Sequence, residues 1–377
     1  MSKRVYVVAG ELSGDAHGAG LLRDLQEMVP GVAIHGAGGP EMKELAGDGL
    51  RDWIEDAAVM GIWEVLKRYP WFKKRFGEML EEVKKFQPDL LLLIDYPGFN
   101  LRFAEAVKRE CPTTRIVYYI SPQVWAWNKG RIPKMARLLD EMLCLFPFEQ
   151  PIFQDAGLKT TFVGHPLVDQ LEDKRMPGVQ RDELLVGLFP GSREREVARL
   201  FPLMIDSAKL LRAWNKDLAF EVPAASPQLD KQIRALLAEA GAGDWITVTS
   251  GRSHSLMQRA CCAVIASGTA TLEAAYYGLP YCLVYRVAWS TYLMGRMLVK
   301  IEHIGLVNIL AGEGVVEEMI QGDADPVAVS RSLKRFLASP PHREALQVRL
   351  AETASKLGGT GAHHRAASAV AGWLRQP

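Results

Sequence analysis

Five short stretches of the chain carry residue types that could do chemistry. In "LLLLIDYPGFN", residues 90–100, an apolar run ends in a carboxylate, Asp95. A carboxylate at the end of a buried strand is costly unless it is hydrogen-bonded or in use. Asp95 could take a proton from a substrate hydroxyl as a general base, or cap the "PGFN" turn. In "LFPGSRE", residues 188–194, Gly191, Ser192 and Arg193 end a second run. A turn plus a planar guanidinium suits a phosphate, although Arg193 could equally pair with a surface acid. In "ASGTATLE", residues 266–273, Ser267, Gly268 and Thr269 open a helix, and Glu273 follows one turn on. Backbone N–H groups there suit a diphosphate. Glu273 could accept from both ribose hydroxyls, or simply offset the helix charge. In "SPQVWAWNKGRIPKM", Trp125 and Trp127 lie among Lys129, Arg131 and Lys134. Aromatic faces suit sugars and acyl chains, and the cations suit phosphates. The alternative is tryptophans packed beneath a long loop.

The fifth stretch, "AGELSGDAHGAGLL" at 9–22, has the layout of a nucleotide loop. A dinucleotide fingerprint needs G-x-G-x-x-G and an acid about 20 residues on. Gly10, Gly14, Gly18 and Gly20 have the wrong spacing, and the next strand ends in "HGAGG" without an acid. That reading is excluded. What remains is a turn onto a helix N-terminus, where Ser13, Gly14 and Asp15 could meet an anion or merely cap the helix.

Other features carry less. Asp323 and Asp325 form a D-x-D, but before Pro326 they read as a helix N-cap. His363 and His364 have no acids or cysteines at zinc spacing. His254 stands alone in a loop. No G-x-S-x-G elbow is present. No metal site is expected.

Elements must bring these stretches together. Residues 1–169 alternate nearly continuous apolar strands with amphipathic helices, the mark of a parallel sheet covered on both faces. The polar stretch 170–183 reads as a linker. Strand–helix alternation restarts over 184–345, and helices at 346–377 finish the chain. The expectation is two Rossmann-like parallel α/β domains with a cleft between them, ligands lying beyond the carboxyl ends of the strands. The 377 residues suit two domains. A net charge of +1, from 45 basic and 44 acidic residues, gives no support for nucleic-acid binding. Five cysteines without a C-x-x-C pair suit a reduced, cytoplasmic protein. Neither a signal peptide nor a membrane span of about 18 apolar residues is read.

One segment nevertheless suggests a membrane surface. Within residues 59–76, Met60, Ile62, Trp63, Leu66 and Trp71 alternate with Lys67 and Arg68. Apolar groups with basic flanks describe an interfacial anchor, here assigned to 60–71. Phe72, Phe76, Met79, Leu80 and Val83 form an ordinary core stripe over 72–86.

Taken in order, "AGELSGDAHGAGLL", "AVMGIWEVL", "IDYPGFN", "YYISPQVWAWNKGRIPKM", "LFPFE", "FVGHPLVD", "LFPGSRE.EV", "ASGTATLEAAYYGLP" and "LVNILAG" resemble the lipid-A-disaccharide synthase family from residue 9 to about 320. The resemblance implies a GT-B glycosyltransferase whose last helix crosses back to the first domain. It implies inverting transfer of 2,3-diacylglucosamine from UDP-2,3-diacylglucosamine to 2,3-diacylglucosamine 1-phosphate, giving a β-1,6 disaccharide phosphate and UDP. It implies no cofactor, and a peripheral place on the inner membrane. A homodimer is left open. By motif, Asp95 becomes the base, Arg193 stabilises the UDP leaving group, Glu273 holds the nucleotide ribose and Asn308 of "LVNILAG" helps bind the donor. The opening loop, with Trp125 and Trp127, falls to the acceptor side. The chain departs from the commoner pattern at Gly98, where an acid is often found, which weakens any claim that a second acid in that loop is required. The alternative on the same fold is a UDP-sugar epimerase, which would not need the apolar-basic segment. A non-catalytic carrier would not need Asp95 or Arg193.

Overall fold

A computed structural model describes residues 2–57, 68–287 and 302–376. They divide into two units, 1–166 with 358–377 and 167–357.

The first unit holds strands β1 (Arg4–Ala9), β2 (Ala33–Gly38), β3 (Leu50–Asp52), β4 (Leu90–Ile94), β5 (Arg115–Tyr119), β6 (Glu141–Cys144) and β7 (Thr160–Phe162). All pair in parallel, in the order β3-β2-β1-β4-β5-β6-β7. Val5 to Ala9 and Leu90 to Ile94 are buried throughout, as strands covered on both faces must be. Four helices matter here: α1 (Leu12–Met28), α2 (Pro40–Ala46), α3 (Tyr69–Phe86) and α4 (Pro97–Glu110). Pro97 opens α4 at a position that has no amide to satisfy. Phe99, Phe103 and Val107 of α4 meet Met79 and Val83 of α3 in the core over the sheet.

The second unit holds β8 (Asp182–Phe189), β9 (Ala219–Ala224), β10 (Ile246–Ser250), β11 (Ala260–Ala266), β12 (Tyr281–Tyr285) and β13 (Glu318–Ile320). This sheet is also parallel, ordered β10-β9-β8-β11-β12-β13. Its helices include α5 (Leu167–Asp173), α6 (Glu194–Trp214), α7 (Ala270–Tyr276), α8 (Leu306–Ala311) and α9 (Pro340–Ser355).

Two boundaries differ from expectation. The polar stretch 170–183 is bound into the second unit. The amide of Met176 donates to Gln258 Oε1 at 2.7 Å, and Arg181 donates to the carbonyls of Met257 at 2.8 Å and Ala260 at 2.7 Å. A charged stretch can be structural when its donors meet carbonyls left over at element ends. Likewise α9 stays with the second unit, and only α10 (Ala362–Arg375) returns to the first. There Arg365 Nε donates to the Val163 carbonyl at 2.7 Å, and Trp373 Nε1 donates to Glu141.

Candidate functional site

In the first unit, Ala9 of β1 lies beside Ile94 of β4, and Ile94 beside Tyr119 of β5. Three adjacent strand ends therefore deliver Gly10, Asp95 and Ile120 to one edge. Asp95, Tyr96 and Ile120 all have left-handed backbone, with φ of 45°, 51° and 68°. Such conformations cost about 1–3 kcal/mol each in non-glycine residues and collect at functional sites. Neighbours hold the turn. The Asp95 amide donates to the Tyr119 carbonyl at 2.9 Å, while the Asp95 carbonyl accepts from Asn100 Nδ2 at 2.7 Å and from the Tyr118 hydroxyl. The Tyr96 ring lies flat on Gly10, where a Cβ would come within 2.4 Å of it. Its hydroxyl donates to the Ala57 carbonyl at 3.0 Å.

This frame spends the backbone of Asp95 and leaves its carboxylate for chemistry. Burial pushes that carboxyl up to about 6, with help from the charge of Glu11. Glu11, at the end of β1, is a part of the site that the sequence reading passed over. A base with such a value is ionised at neutral pH yet basic enough to accept a proton in a transition state.

The rest of this side divides. Ser13 is exposed in the first turn of α1, whose N-terminus has no side-chain cap. Gly14 is buried, with Ala9 and Ile94 beneath it. Asp15 does not face a ligand. Its buried carboxylate accepts from the amides of Gly39 at 2.8 Å, Glu41 at 3.0 Å and Met42 at 3.1 Å, capping α2. Trp125 is buried rather than laid over an opening, and its Nε1 donates to Glu149 Oε1 at 3.0 Å. Burial pushes the Glu149 carboxyl up to about 7. Trp127 is 48% exposed, with the Arg131 guanidinium 5.2 Å from its ring centre. Of the proposed membrane segment, Met60, Ile62, Trp63, Leu66 and Lys67 lie outside the described residues. Arg68 donates to the Asp56 carbonyl at 2.7 Å, and Trp71 packs on Trp53 at 6.0 Å between ring centres. Trp71 thus belongs to the edge of the core.

In the second unit, Phe189 of β8 lies beside Ile265 of β11, and β9 flanks β8 on the other side. This is the switch point of the sheet, where open parallel sheets bind ligands. A cavity of ≈ 500 Å³ opens there, and Ser192, Arg193, Ser267, Gly268, Thr269 and Glu273 all line it. The Ser267 amide is spent on the Val284 carbonyl at 3.1 Å. Thr271 Oγ1 ties the turn by donating to the Gly268 carbonyl at 2.7 Å. Burial raises the Glu273 carboxyl. Arg193 is exposed and donates to Glu196 Oε1 at 2.7 Å, while Glu196 Oε2 accepts from the Ser192 amide at 3.3 Å. Gly191, at φ 110°, makes room for that carboxylate, which would sit 2.5 Å from any Cβ there.

His254 and Lys174 line the same cavity. His254 Nδ1 is 3.7 Å from Glu273 Oε2, and Lys174 Nζ is 3.2 Å from His254 Nε2. Sequence reading set His254 aside as an isolated loop residue and put Lys174 in a linker, because only the fold brings them to the strand ends. Asn308 points inward. Its amide donates to the Val316 carbonyl at 2.9 Å and Glu318 Oε1 at 2.7 Å, and accepts from the Val315 and Val316 amides. Its four bonds shape the loop after α8, so any effect on a donor passes through that loop. Asp325 caps the helix Pro326–Ala338 by accepting from the amides of Val327 and Ala328, as expected for the D-x-D. No group of three metal-ligating side chains occurs among the described residues.

Comparison with known proteins agrees with this architecture. Among solved structures, UDP-GlcNAc 2-epimerase from Neisseria meningitidis bound to UDP-GlcNAc superposes with a TM-score of 0.58 at 12% identity, over 98% of this chain and 99% of that one. A ugt transferase from Siraitia grosvenorii in complex with UDP gives 0.57 at 10% identity, over the whole of both chains. Likenesses this distant establish a shared GT-B-like fold of two parallel-sheet units. Lipid-A-disaccharide synthases from Geobacter sulfurreducens and Trichlorobacter lovleyi are each 42% identical to this chain. They are aligned over 98% and 99% of it and over 97% and 98% of their own lengths. The model of the family described as lipid-A-disaccharide synthetase matches residues 5–371. A chain so similar throughout belongs to the lipid-A-disaccharide synthase family.

Proposed function

We propose that Asp95 is the general base of an inverting transfer. In this reaction 2,3-diacylglucosamine passes from UDP-2,3-diacylglucosamine to the 6-hydroxyl of 2,3-diacylglucosamine 1-phosphate. The hydroxyl oxygen bonds to the donor's C1 as the bond from C1 to the UDP oxygen breaks. Asp95 takes the hydroxyl proton, and the electron pair of the broken bond leaves with UDP. The observation that carries this reading is the Asp95 turn: a strained backbone fully bonded to its neighbours, presenting a carboxylate poised near 6.

The second unit's cavity takes the UDP part of the donor. Arg193 and the amides of the Gly191–Ser192 and Gly268–Thr269 turns neutralise the leaving group, a role in which fixed donors cost no reorganisation at the moment of reaction. Glu273 accepts from the ribose hydroxyls. Ser13 and Gly14 serve the acceptor. The apolar-basic segment 60–68, without the core-edge Trp71, holds the enzyme at an anionic membrane surface. No helix among the described residues is long and apolar enough to cross a membrane.

The test supplies both lipid substrates and measures UDP and the disaccharide phosphate. Asp95→Asn should bind UDP as the parent does and lose turnover by at least a hundredfold. Turnover within tenfold of the parent would remove Asp95 from the base role.

A further inference from the structure

Beside the Asp95 turn, α3 and α4 enclose a second cavity of ≈ 510 Å³ within the first unit. Phe72, Phe76 and Phe99 line it together with the Tyr96 ring. Its size is that of a small-molecule site, and it shares Tyr96 with the turn that presents Asp95. The expected core stripe of α3 is therefore divided. Met79 and Val83 are fully buried, whereas Phe72 and Phe76 are half-buried and open onto this space.

Two cations stand in the same lining, Lys73 from α3 and Arg102 from α4. Most other cations on these helices are paired: Lys74 and Arg75 with Glu78, Lys84 with Glu81, Lys108 with Asp140 and Arg109 with Glu110, while Lys85 stands at the far end of α3, outside this lining. Lys73 and Arg102 have no acidic partner among the described residues. An aromatic floor with two uncompensated cations is complementary to an amphiphile that is both acylated and anionic. Burying the methylenes of a chain on such a floor is favourable, and a guanidinium with an ammonium suits a phosphate.

We propose that this cavity seats the acceptor. One acyl chain of the diacylglucosamine 1-phosphate lies on Phe72, Phe76 and Phe99, and its phosphate lies on Lys73 and Arg102. The inference rests on the transfer reaction proposed above and adds where the acceptor is gripped. Gly98 belongs to the same lining, and a Cβ there would meet open space. A carboxylate added at this position would place a negative charge at the phosphate site, and glycine leaves both cations to the acceptor.

The double variant Lys73→Gln/Arg102→Gln tests this, with Gly98→Asp beside it. All three positions are exposed and the two cations have no acidic partner among the described residues, so the fold should melt as the parent does. Acceptor KM should rise at least tenfold in the double variant and at least threefold in Gly98→Asp. Donor KM and kcat should stay within twofold. The parent's preference for the phosphorylated acceptor over its dephosphorylated analogue should collapse in the double variant. Binding is followed separately, by anisotropy of an acceptor carrying a fluorescent acyl chain, without donor. That measurement judges the cavity even if the parent releases no UDP, a result that would overturn the transfer reaction instead. Unchanged acceptor affinity in both variants overturns the proposal. So does a rise in donor KM equal to that for acceptor, or a loss confined to binding of anionic phospholipid vesicles.

Discussion

At the residue scale, the second unit's cavity holds an internal anion. Glu196 reaches back over its own turn to the Ser192 amide and the Arg193 guanidinium. These are the groups proposed to take the UDP diphosphate, so on that proposal the carboxylate stands where a phosphate oxygen would go. Binding must then displace Glu196 or tolerate its charge beside two phosphates, and like charges at such a distance oppose each other. Glu196→Gln should therefore tighten UDP three- to tenfold, read as Kd by calorimetry. It keeps an oxygen for the Ser192 amide, removes the repulsion and releases Arg193 from its ion pair. Weaker binding of UDP by this variant would show instead that Glu196 is needed to hold Arg193 in place.

At the element scale, two carboxylates of adjacent motifs have opposite fates. Asp15 is one turn along α1 from the strand end, where a ligand would be natural. Instead it closes the N-terminus of α2 with three hydrogen bonds. Bonds to a charged acceptor contribute about 1.5–3 kcal/mol each, and a helix cap about 1. Asp15→Ala should lower stability by about 2–4 kcal/mol, measured by urea unfolding, with acceptor KM unchanged in the folded protein. A large rise in KM at unchanged stability would return Asp15 to the acceptor site. The contrast shows what the sequence could reveal. Strands such as "LLLLI" were legible because nearly continuous apolar runs have few alternatives, and the strand-end loops followed from the parallel sheet. The placement of Asp95, Arg193 and the SGT turn at strand ends was legible for the same reason. Asp15, Trp125 and Asn308 were not, because their partners Gly39, Glu149 and Glu318 lie on other elements and pairing across elements leaves no local pattern. His254 and Lys174 were missed for the converse reason: each looks ordinary until the fold sets it beside Glu273.

At the scale of the whole molecule, titrating groups of opposite sense share each unit. In the first, burial lowers His17 and His165 from 6.5 to about 4, while it raises Asp95 from 3.8 to about 6 and Glu149 from 4.5 to about 7. The second unit repeats the pairing, with His254 lowered and Glu273 raised, both by burial. The consequences for stability oppose each other. As pH falls from 7 to about 4.5, the unfolded chain takes up protons on histidines that the folded state keeps neutral, which costs stability. Over the same range the folded state takes up protons on carboxyls that the unfolded chain still keeps ionised, which restores it. Two histidines against two carboxyls leave little net proton uptake on unfolding, so the first unit should hold nearly constant stability across this window. Asp95→Asn breaks the balance. It removes a carboxylate that the fold desolvates at neutral pH, and a shift from 3.8 to about 6 corresponds to at most about 3 kcal/mol. The variant that abolishes turnover should thus be the more stable protein at pH 7. Its advantage should shrink by up to about 1.4 kcal/mol per pH unit between pH 6 and 4, leave only a small remainder at pH 4, and vanish about one unit lower, where Asp95 is protonated folded or unfolded. Calorimetric melting of parent and variant from pH 7 to pH 4 measures the difference directly. A variant that is less stable at pH 7, or one with an offset independent of pH, would show that the carboxylate of Asp95 is better solvated than its strand-end position makes it, and the argument for a poised base would fall with it.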